Sequence, residues 1–331
     1  MKNKTIIIAE AGVNHNGNIN LAKKLIIEAS KIGADYIKFQ TFSAENLVTK
    51  FAKKPKYART KKNKFQFEML RSLELKDKQV LKLKKICEKK KIGFLSSAFD
   101  LEGLKFLQSL NLDFFKVPSG EINNVPYLRY LSKLNKKIIL STGMSNLKEV
   151  SFAIKILKKG GIKNEKIFLL QCNTQYPSPF TDANLKVLNF FKKKFKTQIG
   201  YSDHTQGIEA SLAAVSLGAK IIEKHFTLNK KLQGPDHKAS LNPKEFSELI
   251  QSIRKIEVAL GKEKKEITAS EKKNKDLIRK SIVAKFEIKR GDVFSDKNLT
   301  CKRPAYGKSP NLWDKIVGSK AKRNYKKDEF I

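Results

Sequence analysis

The chain has 331 residues, 40% of them hydrophobic, and carries 69 basic against 32 acidic side chains for a formal net charge of +37. That length holds one large globular domain and a small one, and no apolar run approaches the roughly 20 residues of a bilayer-crossing helix. A membrane-crossing helix is therefore not expected, and a start that breaks at Glu10 without a signal-type cleavage site points to a soluble cytoplasmic protein. The charge invites a nucleic-acid reading through counterion release. Yet 61 of the 69 basic residues are lysine and only eight are arginine, spread along helix faces such as residues 81–91. Specific phosphate or base readout favours the guanidinium fork. A basic nucleic-acid-binding protein is thus the distant alternative to a lysine-rich solvated surface that helps to draw in an anionic substrate.

In chain order, short β-type runs alternate with amphipathic helical stretches: TIIIAEAG from Thr5, ADYIKFQ from Ala34, GFLSSAF from Gly93, FFKVPSG from Phe114, KIILSTG from Lys137, KIFLLQC from Lys166, QIGYSDH from Gln198 and KIIEKHF from Lys220. Eight βα units within about 260 residues predict a TIM (β/α)8 barrel. The barrel domain is expected over residues 1–262. Residues 263–278, polar and charged, read as a linker, and a small β-rich domain is expected over 279–331, with RGD and PAYG turns and the single tryptophan, Trp313. Cys87, Cys172 and Cys301 show no paired spacing, so reduced thiols are expected.

The strands end in polar residues, on the face where TIM barrels carry their active sites. Lys38 with Gln40, Ser202 with His204, and Glu223 with His225 are each two apart, hence on one side of an extended strand. His204 and His225, on the adjacent seventh and eighth strands, would bring two imidazoles together, a donor set suited to a divalent metal with open positions, though strand-end histidines also serve as plain hydrogen-bonding residues. Lys38 and Lys116, with Ser97, Ser119, Ser141 and Ser202, offer charge and hydroxyls to an anion such as a phosphate or carboxylate. Glu10 and Glu121 are candidates for proton transfer, and Asp236 in GPDHKAS for sugar hydroxyls. His15 and His237 are read as solvated loop residues and left out of the site.

The stretches AEAGVNHNG, KFQTF, FLSSAFD, KVPSGE, ILSTGM, CNTQYPSPF, GYSDHT, EKHFT and GPDH, then KRPAYG, follow one another over nearly the whole chain. In this the sequence resembles the bacterial sialic acid synthases, whose members join phosphoenolpyruvate to an N-acetylated hexose in a TIM barrel and carry a C-terminal domain similar to type III antifreeze proteins (SAF). The resemblance implies a divalent metal, Mn2+ or Mg2+, on His204 and His225. It implies Lys38, Lys116, Ser119, Ser141 and Ser202 for phosphoenolpyruvate, Gln40, Tyr176 and Asp236 for the acceptor sugar, and Glu10 in catalysis. Arg303 matches a residue that reaches a neighbouring subunit's active site, which implies a homodimer. Thr174 stands where some members have asparagine, and Ser97 where threonine is common. N-acetylmannosamine, giving N-acetylneuraminate and phosphate by C–O cleavage, is the first acceptor the motifs suggest, because CNTQYPSPF and TASEKKNK look nearest to that group. A 2,4-diacetamido-6-deoxy hexose, giving N,N'-diacetyllegionaminate, is the alternative.

Overall fold

The computed structural model describes residues 4–53 and 65–331. Eight parallel strands close into a barrel in sequence order: β1 (Ile6–Gly12), β2 (Tyr36–Thr41), β3 (Gly93–Ala98), β4 (Phe114–Val117), β5 (Lys137–Ser141), β6 (Ile167–Cys172), β7 (Gln198–Asp203) and β8 (Ile221–His225). Closure is direct, since β1 pairs with both β2 and β8. Each strand is followed by a helix on the outside, and the local sequence says where those helices begin. Asn18, Asp100, Asn124, Asn146 and Asn242 each cap a helix with a side-chain oxygen, and Glu149 and Glu245 complete capping boxes with the last two.

The two faces of every strand serve different layers, because side chains alternate with a period of two. Outward residues such as Ile7, Ala9, Ile37, Phe39 and Ile222 join the helices in the main core. Inward residues stack in tiers. The lower tier is apolar, made by Ile8, Leu95, Phe114, Ile139, Leu170 and Ile221, with Tyr36 and Phe168 packed against it. Two residues further along the same strands come Glu10, Ser97, Lys116, Ser141, Cys172 and Glu223. The barrel is therefore plugged with hydrocarbon below and lined with ionisable groups above, toward the C-terminal face where TIM barrels carry their active sites.

The chain divides into two compact units, one ending at Gly261 and one running from Lys262 to Ile331. In the second unit, β9 (Ser281–Ala284) and β10 (Leu299–Lys302) form an antiparallel pair, with single bridges from Val283 to Phe330 and from Ile288 to Tyr325. Its own small core contains Ile282, Ile288, Phe294, Leu299, Ile316 and Tyr325. The stretch read as linker, residues 263–278, holds a helix, Ala269–Ile278, started by a capping box between Thr268 and Glu271. Every residue of this helix is exposed, so capping and backbone hydrogen bonds, with no apolar face to bury, sustain it. The polarity of the segment was legible, and its helicity was not.

Gly93 opens β3 directly beside the Tyr36 ring: a Cβ there would lie 2.2 Å from Cδ1. Gly93→Ala should therefore displace Tyr36 from its packing on Phe114 and lower stability by about 1–3 kcal/mol. Urea unfolding followed by circular dichroism measures this, and an unchanged midpoint would contradict the close approach.

Candidate active site

A cavity of about 510 Å³ opens at the C-terminal ends of the strands. It gathers side chains from all eight strands or the loops that follow them: Glu10, Lys38 and Gln40, Ser97, Lys116 and Ser119, Ser141, Thr174 and Tyr176, Ser202 and His204, Glu223 and His225, and Asp236. Glu121 does not line it. Glu121 accepts a 2.6 Å hydrogen bond from Asn124 Nδ2, and Asn124 in turn caps the helix Val125–Ser132 through Tyr127 N. Glu121 is thus half of a helix-capping arrangement next to the cavity. Arg303 is exposed in the second unit, immediately after β10.

The floor of the cavity is a buried network of four charged groups. Lys38 Nζ lies 2.8 Å from Glu10 Oε2, 3.7 Å from Glu223 Oε2, and donates to Ser97 Oγ at 3.1 Å. Lys116 Nζ donates to Glu223 Oε1 at 3.2 Å, and Ser202 Oγ donates to the same oxygen at 2.9 Å. These groups are at most 5% exposed, so each charge is tolerable only through its partners. The two carboxylates are held differently. Burial works against the charge of Glu223, but Lys116, Lys38 and the Ser202 hydroxyl outweigh it and hold the carboxyl at about 2. Burial pushes Glu10 up to about 7, because Lys38 offsets only part of that cost and the charge of Glu223 adds to it. One carboxylate is a fixed charge, and the other exchanges a proton near neutrality.

Burial likewise dominates at Lys116, whose pKa is lowered, whereas at Lys38 the two carboxylates overcome it and raise the pKa. Sequence reasoning quoted Glu223 only as a strand end and gave it no role. The signal was its parity with His225, two residues on, and its position in register with Ser202 on β7.

Above this floor the two imidazoles face one another, with ring centroids 5.3 Å apart, and Tyr176 packs on both at 4.2 and 5.5 Å. His204 Nδ1 is hydrogen-bonded to the carbonyl oxygen of Asn173. A carbonyl can only accept, so Nδ1 carries the proton and Nε2 keeps its lone pair. Burial lowers His204 to about 4 and His225 well below the usual histidine range, so both rings are neutral at pH 7. His225 Nδ1 has no hydrogen-bond partner, Asp236 Oδ2 being 3.9 Å away. Gly12, with φ of +50°, keeps this corner open: a side chain there would meet Glu10 Oε1 at 3.2 Å, Gln40 Nε2 at 3.4 Å and His225 Cε1 at 3.6 Å. Among the described residues, Ser141 Oγ and His225 Nδ1 are buried side-chain atoms that lack a hydrogen-bond partner. Both belong to residues that line the cavity, so unspent hydrogen-bonding capacity lies where a polar ligand would enter.

His15 and His237 are fully buried, contrary to the solvated loop expected for both. His237 Nδ1 is 2.7 Å from Thr227 Oγ1, and Asn16 Nδ2 lies 3.3 Å from its Nε2. The first and last βα loops are thereby packed together, which a reading of each loop alone does not reveal.

Comparison with known proteins agrees with this architecture. Residues 25–265 match the NeuB family and residues 279–331 the SAF domain. The chain is 52% identical over 330 residues to the N,N'-diacetyllegionaminic acid synthase of Campylobacter jejuni, covering 99% of each chain. It is 37% identical over 328 residues to the N-acetylneuraminate-9-phosphate synthase of Homo sapiens, covering 98% of this chain and 90% of that one. The crystal structure of N-acetylneuraminic acid synthetase from Leptospira borgpetersenii, in complex with citrate, superposes with a TM-score of 0.73 at 37% identity, over 82% of this chain and 90% of the other. With a cavity built from the ends of eight barrel strands and a match that spans both units, the chain belongs to the NeuB family of sialic acid synthases, with a SAF domain at its C-terminal end.

Proposed function

We propose that this enzyme condenses phosphoenolpyruvate with a 2,4-diacetamido-6-deoxy hexose and water to give N,N'-diacetyllegionaminate and phosphate. The observation that carries the choice of acceptor is the 52% identity, over 99% of both chains, to a protein named for that product. A legionaminic acid synthase from Legionella pneumophila is 42% identical over 322 residues, whereas the human N-acetylneuraminate-9-phosphate synthase reaches 37%. The order of the two acceptors expected from the motifs is therefore reversed, and N-acetylmannosamine becomes the second reading.

The chemistry of the cavity supports a condensation of this kind. Lys38 and Lys116, with the hydroxyls of Ser119, Ser141 and Ser202, supply the cationic and donor groups for phosphate and carboxylate. Gln40, Tyr176 and Asp236, nearer the histidines, are assigned to the acceptor. His204 and His225 are the residues that would hold a divalent cation, Mn2+ or Mg2+: both are neutral, and His225 Nδ1 is buried without a hydrogen-bond partner. Such an ion, when bound, supplies electrophilic activation of the acceptor aldehyde.

With both substrates aligned, the enol π pair at carbon three of phosphoenolpyruvate forms the new C–C bond to the aldehyde carbon. Positive charge then develops at carbon two, next to the fixed negative charge of Glu223. Water adds at carbon two and gives its proton to Glu10, whose raised pKa suits it to accept and return a proton near neutrality. The tetrahedral adduct expels phosphate with its bridging oxygen, the hydroxyl proton at carbon two leaves with the phosphate, and the former aldehyde oxygen takes up the proton that Glu10 returns, which leaves the 2-keto acid. Arg303 is assigned to the acceptor site of the partner barrel in a homodimer, as the family resemblance implies.

With phosphoenolpyruvate and Mn2+, kcat/KM for the diacetamido sugar should exceed that for N-acetylmannosamine by at least about tenfold. Mass spectrometry of the products decides this, and the opposite preference would restore the neuraminate reading. In oxygen-18 water the label should enter the keto acid and be absent from phosphate. Glu10→Gln should lower kcat by about 100-fold or more with little change in either KM, whereas Lys116→Met should raise the KM for phosphoenolpyruvate about tenfold. Equal amounts of Arg303→Ala and His225→Ala subunits, exchanged at random, should recover roughly a quarter of wild-type activity, because half of the dimers then hold one intact site. No recovery on mixing would mean that Arg303 serves its own barrel.

A further inference from the structure

Behind the two histidines, on the outer face of the same strands, lies a second buried ion pair that the chemistry above does not use. Asp203 and Lys224 are register partners of β7 and β8, and Lys224 Nζ is 2.8 Å from Asp203 Oδ2 with both side chains fully buried. The same ammonium donates to the carbonyl oxygen of Thr205 at 2.9 Å. Asp203 Oδ1 accepts from Thr205 N at 2.9 Å and Thr205 Oγ1 at 2.7 Å, and Asp203 Oδ2 accepts from Ser211 Oγ at 2.6 Å. Neither side chain reaches the cavity, because the two-residue period that sends His204 and His225 inward sends their neighbours outward.

We propose that Asp203 and Lys224 are positioning residues that set the separation and aim of His204 and His225. The covalent layout makes the point: one ammonium, on the residue immediately before His225, grips both residues that flank His204. The sheet ladder between the two strands stops at Asp203 and Lys224, so His204 lies just past the paired segment and has no β8 partner of its own. The pair takes over at that point. A buried ion pair is a weak source of net stability, since an apolar pair of similar shape commonly does as well. What an apolar pair cannot supply is a directional link from β8 to the Asp203 carboxylate on one side of His204 and to the Thr205 carbonyl on the other. The proposal rests on the reading of the two histidines as a divalent-cation site, where outer groups that orient the ligands govern affinity.

The test uses the full-length protein and two measurements. The first is Mn2+ affinity, from the electron paramagnetic resonance signal of the free ion. The second is the imidazole resonances of the four histidines in metal-free protein. Lys224→Met should weaken Mn2+ binding by about tenfold or more. It should also shift the ring resonances of His204 and His225 while those of His15 remain in place, and leave phosphoenolpyruvate binding to metal-free protein unchanged. The double variant Asp203→Asn with Lys224→Met removes the unmatched charge, so it should recover the thermal stability lost by the single variant without recovering Mn2+ affinity. If Lys224→Met does not fold, Ser211→Ala, which removes only one donor to Asp203, should show a smaller loss in the same direction. Wild-type Mn2+ affinity and ring resonances in a folded single variant would overturn the proposal. So would their joint return with stability in the double variant. A wild-type protein that binds no Mn2+ would overturn the metal reading, and the ring resonances alone would then decide the positioning role.

Discussion

Four charged side chains buried at the barrel mouth set the terms for everything around them. Glu10, Lys38, Lys116 and Glu223 come from β1, β2, β4 and β8, and each would bear a desolvation cost of several kcal/mol if it stood alone. Mutual pairing offsets that cost only when the barrel is closed and its register holds the four ends level. The function of the site thus depends on the same hydrogen-bonded ladder that defines the fold. The unequal sharing within the network also separates two carboxylates by environment, one stably ionised and one poised near neutrality.

The two-residue alternation then distributes work along each strand. Ile8 plugs the barrel and Glu10, two residues on, meets the ligand space; Ile221, Glu223 and His225 repeat the scheme on β8. Their immediate neighbours, Ala9 and Ile222, face the helices. A one-residue slip in register would exchange these sets and put charge into the helix layer. The apolar tier beneath the charges excludes water from below, which strengthens electrostatic interactions in the cavity.

The loops are organised by buried polar bonds. Asn14 Nδ2 donates to the Phe226 carbonyl at 2.9 Å and to Ser240 Oγ at 2.8 Å, and Ser240 Oγ donates to the Asp236 carbonyl at 2.7 Å. The loop after β1 thereby fixes the loop that carries Asp236, more than 200 residues away in sequence. This is why His237, which reads as a solvated loop residue, is in fact buried, through Thr227 and Asn16, whereas His15 accepts from Gly17 N within its own loop and lies against Phe39 of β2.

By itself the sequence determined the eight strands, the helices between them and the side of the sheet each strand-end residue faces, because these follow from periodicity and capping within a few residues of chain. It also determined most of the cavity, since in a parallel barrel all strand ends converge on one face. Only the tertiary structure decided which of those ends touch. The role of Glu223 appears once Lys38, Lys116 and Ser202 surround it, and the Glu121 carboxylate proves to be engaged by Asn124 beside the cavity. The protonation of Glu10 and the neutrality of the two imidazoles were equally out of reach, since a pKa is set by burial and by charges distant in sequence. The pattern along a strand is a local property, and the electrostatics of the cavity belong to the closed barrel alone.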